Sequence, residues 1–130
     1  MDCIYKTNLY CLLLLHTVGM TPWNKTFTSS YCFLRDEKED DYIWALTAIA
    51  ETFRVHPKVI VTDDEKALIN AIEDIFPDTK HILCLWHVYN CILTHAAKAF
   101  NGIETESTKQ FLKEWSALTS TTLVEEFKTR

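Results

Sequence analysis

The spacing of apolar side chains changes character about a quarter of the way along the chain. Residues 2 to 5 and Leu9 to Val18 read as strands, separated by a turn at Thr7-Asn8. The second begins with Leu9-Tyr10-Cys11-Leu12-Leu13-Leu14-Leu15, apolar throughout as a buried strand would be, and Gly19 to Asn24 supplies the next turn. Thr26 to Leu34, rich in Thr, Phe and Tyr, makes a third strand. Three strands on short connections fold most simply as an antiparallel meander. From Asp36 the period lengthens to that of a helix. Glu39 follows Asp36 at the spacing of a helix entry, and Leu46, Ile49, Ala50 and Phe53 fall at i, i+3, i+4 and i+7 before Pro57 ends the element.

Two strand-helix units follow. Val59-Ile60-Val61 is wholly apolar and β-branched, the composition of a central parallel strand covered on both faces. Thr62 with Glu65 satisfies the S/T-x-x-E capping pattern. Leu68, Ala71, Ile72 and Ile75 then form a helical stripe that Pro77 closes. Ile82-Leu83 is another short strand, Cys84 to Phe100 a third helix with Gly102 at its C′ position, and Ser107 with Gln110 can cap a fourth along Phe111, Trp115 and Leu118. The order β-β-β-α-β-α-β-α, followed by further helix, is an α/β arrangement with the layout of the ribonuclease H-like fold, a mixed sheet flanked by helices. Topology alone does not carry a function, so the chemistry must come from particular residues.

Composition narrows the choice. The chain has 130 residues, 48% of them apolar and 24% charged, with two glycines and three prolines, which describes a globular domain and excludes disorder and collagen-like repeats. A chain of this length buries roughly two-thirds of its unfolded surface and needs no staples. Its five cysteines, odd in number and irregularly spaced, therefore point to reduced thiols in an intracellular compartment. Thirteen basic against eighteen acidic residues give a formal charge of −5 without a Lys/Arg cluster, so any grip on DNA comes from outside this stretch. The apolar run at Leu9 to Leu15 follows Asp2, lacks a small-x-small cleavage pattern before Trp23, and is too short to span a bilayer. The triplet Asn24-Lys25-Thr26 would matter only in a secreted chain.

Two constellations could carry chemistry. Asp63 stands where Val59-Ile60-Val61 delivers the chain to a helix, the place where open α/β sheets hold their sites, and Asp2 stands at the start of the first strand. If those strands are neighbours, the two carboxylates converge and offer oxygen ligands of the kind Mg²⁺ or Mn²⁺ require. The plainer alternatives are a helix cap at Asp63, shared with Thr62, and a solvated acid at Asp2. The second constellation is Cys84-Leu85-Trp86-His87, continued by Cys91 and His95 on one helical face. Thiolate and imidazole suit Zn²⁺, but residues 84 and 95 lie about 16 Å apart along a helix, so Cys84 and His87 offer half a site at most. The alternatives there are a packed Cys and His beside Trp86, or a Cys/His nucleophile pair without a local signature. His16, His56 and His81 are unremarkable by spacing, and the acidic run Asp36 to Asp41 reads as a solvated helix entry.

In succession, Asp2-Cys3-Ile4-Tyr5-Lys6-Thr7-Asn8, Thr62-Asp63 with Ala67-Leu68 and Ala71-Ile72, Phe76-Pro77-Asp78, and His81-Ile82-Leu83-Cys84-Leu85-Trp86-His87 resemble the MULE (Mutator-like element) transposase domain, a DDE-type member of the ribonuclease H-like superfamily. The resemblance covers about residues 2 to 95. It implies that Asp2 and Asp63 are the first two acids of the catalytic triad, binding Mg²⁺ or Mn²⁺ for DNA strand cleavage and transfer. It places Cys84 and His87 on the family's C-x-x-H motif. Residues 1–100 then form a partial transposase domain, and 101–130 the start of an α-helical insertion between the second and third acids.

Three departures accompany the match. The apolar run that precedes the family's first aspartate is replaced by Met1, the upstream zinc-finger region is missing, and the third acid has no counterpart. Glu114, Glu125 and Glu126 fall in what resembles the insertion. The expectation is a fragment of a DNA transposase, nuclear if functional, whose DNA partner belongs to the full-length ancestor and whose two acids cleave poorly alone. A domesticated interaction module without catalysis is the rival, and a small zinc-stabilised domain a third reading. No membrane association is expected.

Overall fold

The computed structural model describes residues 1–4 and 8–121, with only the backbone of residues 2–4. The chain divides into two compact units, Met1–Cys84 and Leu85–Arg130. The predicted α/β character holds.

In the first unit, β1 (Asp2–Ile4), β2 (Leu13–Met20) and β3 (Thr26–Leu34) form the expected antiparallel meander in the order β1-β2-β3. Asp2 lies opposite His16, and Leu15 opposite both Cys3 and Cys32. Alternation puts Leu13, Leu15 and Leu34 into the core and leaves Tyr31 and Phe33 exposed on the other face. The third strand has its predicted ends, but the second does not. Leu9, expected in a strand, is 90% exposed and Tyr10 lies beside it in solvent. The reason is Asn8, whose Oδ1 accepts the N–H groups of Tyr10 and Leu12, both at 3.1 Å, while its Nδ2 donates to the Leu12 carbonyl at 2.6 Å. This amide folds residues 8–12 into a turn, with Cys11 at a left-handed φ of 53°, and delays the strand to Leu13. Asn8→Ala removes all three bonds and is expected to lower stability by about 1–2 kcal/mol in urea unfolding. The expected turn at Gly19 to Asn24 also shifts. The strand runs on through Met20, and the reversal is made by Thr21 to Lys25, with Asn24 at a φ of 57°.

The first helix, α1 (Glu39–Thr52), starts later than the Asp36 entry. Asp36 lies outside it, and its N–H is accepted by the Asp41 carboxylate at 3.1 Å. Tyr42, Ala45, Leu46 and Ile49 form the buried stripe, so the predicted face is right while Phe53 marks the C-cap. α1 packs against β3 and against α2 (Lys66–Ile75), which buries Leu68, Ala71 and Ile72. Across the two helices Asn70 Nδ2 donates to Glu39 Oε2 at 2.8 Å. Both expected strands form, and β4 (Val59–Thr62) pairs in parallel with β5 (Lys80–Leu83), with Ile60 opposite His81 and Thr62 opposite Leu83. The expectation that β4 is covered on both faces fails. Ile60 and Thr62 are buried, whereas Val59, Val61 and Ile82 are all more than 40% exposed.

The second unit contains α3 (Leu85–Ala99) and α4 (Glu106–Thr119). Asn101, at a φ of 59°, takes the left-handed C′ position expected of Gly102. Gly102 follows it, its N–H donating to the Ala97 carbonyl at 2.8 Å as in a Schellman end. The cap of α4 is Thr105 rather than Ser107: its Oγ1 accepts the Thr108 N–H, and the buried Thr108 hydroxyl donates to the Gly102 carbonyl at 2.7 Å. Glu125 and Glu126 lie outside the described residues.

Candidate functional site

The end of β4 is held from several sides. Thr62, fully buried, accepts the Cys84 N–H at its carbonyl at 2.6 Å and donates its hydroxyl to the Asp63 carbonyl at 2.7 Å. The same hydroxyl oxygen lies 2.8 Å from His81 Nε2. Beyond it, Glu65 is the N-cap of α2, its carboxylate accepting the Ala67 N–H at 3.2 Å. Thr62 therefore does not cap the helix with Glu65 as its partner, and Asp63 is not the cap either. The Asp63 side chain is half-buried, and among the described residues it makes no hydrogen bond or ion pair. That leaves a carboxylate at a strand end with no structural duty.

Asp2 approaches this position by its backbone. The Met1 nitrogen donates to the Val61 carbonyl at 2.7 Å, so the start of β1 lies against the end of β4. Asp2 is one residue past that contact and Asp63 two residues past it. β1 and β4 themselves belong to separate sheets, so this single bond is what links the two segments. The side chain of Asp2 lies outside the described residues. Carboxylate oxygens are donors suited to Mg²⁺ or Mn²⁺. Among the described residues no group of three or more His, Cys, Asp or Glu side chains gathers for a metal.

Cys84 and His87 fall on the two sides of the unit boundary. Cys84 follows β5, half-buried and tied by its N–H to Thr62. His87 sits in the first turn of α3, its ring edge-on to Trp86 at 4.9 Å, and its buried Nδ1 has no hydrogen-bond partner. An unpartnered imidazole nitrogen and a thiol are zinc-type donors, but Cys91 and His95 on the same helix are exposed, and a closed zinc site needs four ligands. Among the described residues no thiol hydrogen-bonds an imidazole, and the Cys32 thiol is pushed up by burial, so it stays protonated at neutral pH. Neither fits an activated nucleophile. Cys11, Cys32, Cys84 and Cys91 are free.

The residue that spacing missed is His81. In sequence it is one histidine among five, and only the register of β4 against β5 brings it onto the face of Ile60 and Thr62.

Comparison with known proteins decides the family. The model of the MULE transposase domain matches residues 1–91, a span that includes Asp2, Asp63, Cys84 and His87. The chain belongs to the MULE transposase domain family. Among curated proteins, this MULE domain is 26% identical over 130 aligned positions to Protein FAR1-RELATED SEQUENCE 5 of Arabidopsis thaliana, covering 90% of this chain and 16% of that protein. It is 36% identical over 85 positions to Protein FAR1-RELATED SEQUENCE 4 of the same plant, covering 65% of this chain and 12% of that protein. It is also 29% identical over 103 positions to the PKS-NRPS hybrid synthetase cheA of Chaetomium globosum, covering 76% of this chain and 2% of that protein. The MULE domain thus spans a small part of each relative's length. No solved structure matches it significantly. Among the described residues no helix is long and apolar enough to cross a membrane.

Proposed function

We propose that this MULE domain carries the first two acids of a DDE-type metal site, Asp2 and Asp63, on a ribonuclease H-like sheet. The observation that carries the reading is the Met1–Val61 bond, which sets the strand of Asp2 beside the strand that ends at the unpartnered Asp63. The strands form two separate sheets, β1-β2-β3 and β4-β5, linked by that one bond; a ribonuclease H-like sheet would join them between β1 and β4. A pair of divalent cations, when bound, activates water and steadies the leaving oxygen in phosphodiester cleavage. The chain's own part is to hold two carboxylates at a rigid strand edge, while residues 101–130 begin the helical insertion and a third acid belongs elsewhere. Alone, the two acids hold a cation weakly and leave strand transfer to a longer protein. With a charge of −5, the DNA grip of that protein lies outside this stretch, and its setting is nuclear.

A titration of the whole chain with Mn²⁺, followed by the spin-resonance signal of free ion, tests this. Bound Mn²⁺ that Mg²⁺ displaces is the expected result. Binding that Zn²⁺ displaces while Mg²⁺ does not would contradict the reading.

A second reading, an interaction module without catalysis, has its own support. Tyr31, Phe33, Val61 and Ile82 leave apolar sheet surface in solvent. One relative, from Arabidopsis thaliana, is named Protein FAR-RED IMPAIRED RESPONSE 1. A chain that takes up no divalent cation would leave that reading standing.

A further inference from the structure

We propose that His81 is a positioning residue for Asp63, acting through the Thr62 hydroxyl. The inference rests on the reading of Asp63 as a metal ligand and explains what aims it. One hydroxyl proton serves two close neighbours, the Asp63 carbonyl at 2.7 Å and His81 Nε2 at 2.8 Å. A carbonyl oxygen can only accept. Were the proton given to His81, two oxygen lone pairs would face each other at the Asp63 contact. Thr62 therefore donates to the Asp63 carbonyl, and His81 Nε2–H donates to Thr62, which sets the ring's tautomer.

The consequence for Asp63 is geometric. The bond from Thr62 Oγ1 to the Asp63 carbonyl closes a small ring through the Thr62 side chain and the intervening peptide. That ring restrains ψ at residue 62 and φ at residue 63, the dihedrals that set the direction of the Asp63 Cα–Cβ bond relative to β4, and also ψ at residue 63, which directs its carbonyl. Left to itself, the Thr62 hydroxyl could rotate to another staggered position and release the ring. His81 holds it from β5, and the Cys84 N–H fixes the Thr62 carbonyl from the same side. Thr62 is fully buried, so water does not compete for its hydroxyl. Groups that orient a metal ligand in this way matter nearly as much as the ligand itself.

The test uses the whole chain and two readouts, one of which needs no metal. Nitrogen NMR of the His81 ring is expected to show the proton on Nε2, and a ring protonated on Nδ1 alone overturns the proposal. His81→Phe and Thr62→Val, both near in shape to the originals, are expected to shift the carbonyl carbon resonance of Asp63 and to weaken Mn²⁺ binding about tenfold. His81→Gln, whose amide N–H reaches the same oxygen, recovers both. If His81→Phe leaves the resonance and the affinity where they were, or if a folded His81→Gln recovers neither, the histidine is only a packing residue. Should Asp63→Ala bind Mn²⁺ as tightly as the unmodified chain, the metal reading fails, and the Asp63 carbonyl resonance in the His81 variants still decides whether the brace exists.

Discussion

Phe76→Ala is expected to cost the first unit about 3–5 kcal/mol, a large share of the total stability of any domain this size. Phe76 closes α2, its N–H donating to the Ile72 carbonyl at 2.8 Å, and its ring is 1% exposed. The ring belongs to the buried cluster that includes Leu68, Ile72 and Ile60, and the His56 ring lies perpendicular to it with centroids 5.2 Å apart. Alanine leaves a void in that close-packed cluster. Urea unfolding followed by circular dichroism reads the loss. Val55→Ala, in the same unit but 80% exposed, should stay within about 0.5 kcal/mol and serves as the control.

The second large effect is on metal affinity. Asp63→Ala is expected to weaken Mn²⁺ binding by more than the roughly 10–100-fold that loss of an outer partner costs, because it removes a ligand outright. Stability should hardly change. The cap of α2 is Glu65, so Glu65→Ala should cost about 1 kcal/mol and leave Mn²⁺ affinity alone. The two variants thus exchange their effects according to which acid caps and which coordinates. Were Asp63 a structural acid after all, its alanine variant would lose stability and keep the metal.

Much of the first unit is legible in the amino-acid sequence. The meander, the stripe Leu68-Ala71-Ile72 and the strands at Val59-Ile60-Val61 and Ile82-Leu83 are legible from apolar spacing and composition, since burial of one face is what that spacing records. The errors fall where polar side chains compete with the pattern. Leu9 to Leu12 have strand composition, but Asn8 bonds their backbone first. Thr62 and Glu65 match a capping box, yet Thr62 belongs to the strand and spends its hydroxyl on Asp63. Val59 and Val61 read as doubly covered because β-branched composition records strand preference without saying which faces are covered. Of the candidate site, Asp63 and Cys84 could be placed from strand ends, whereas the link from Met1 to Val61 and the contact from His81 to Thr62 depend on register between distant segments. No spacing rule encodes that.

The central claim is that Asp2 and Asp63 share a cation beside the Met1–Val61 contact. Substoichiometric Mn²⁺ added to the ¹⁵N-labelled chain tests it most directly, because paramagnetic broadening marks the amides nearest the ion. The account predicts that the signals of Asp2, Cys3, Thr62, Asp63 and Asp64 broaden first. Broadening confined to the acidic first turn of α1, at Glu39, Asp40 and Asp41, with the strand edge untouched, would contradict it.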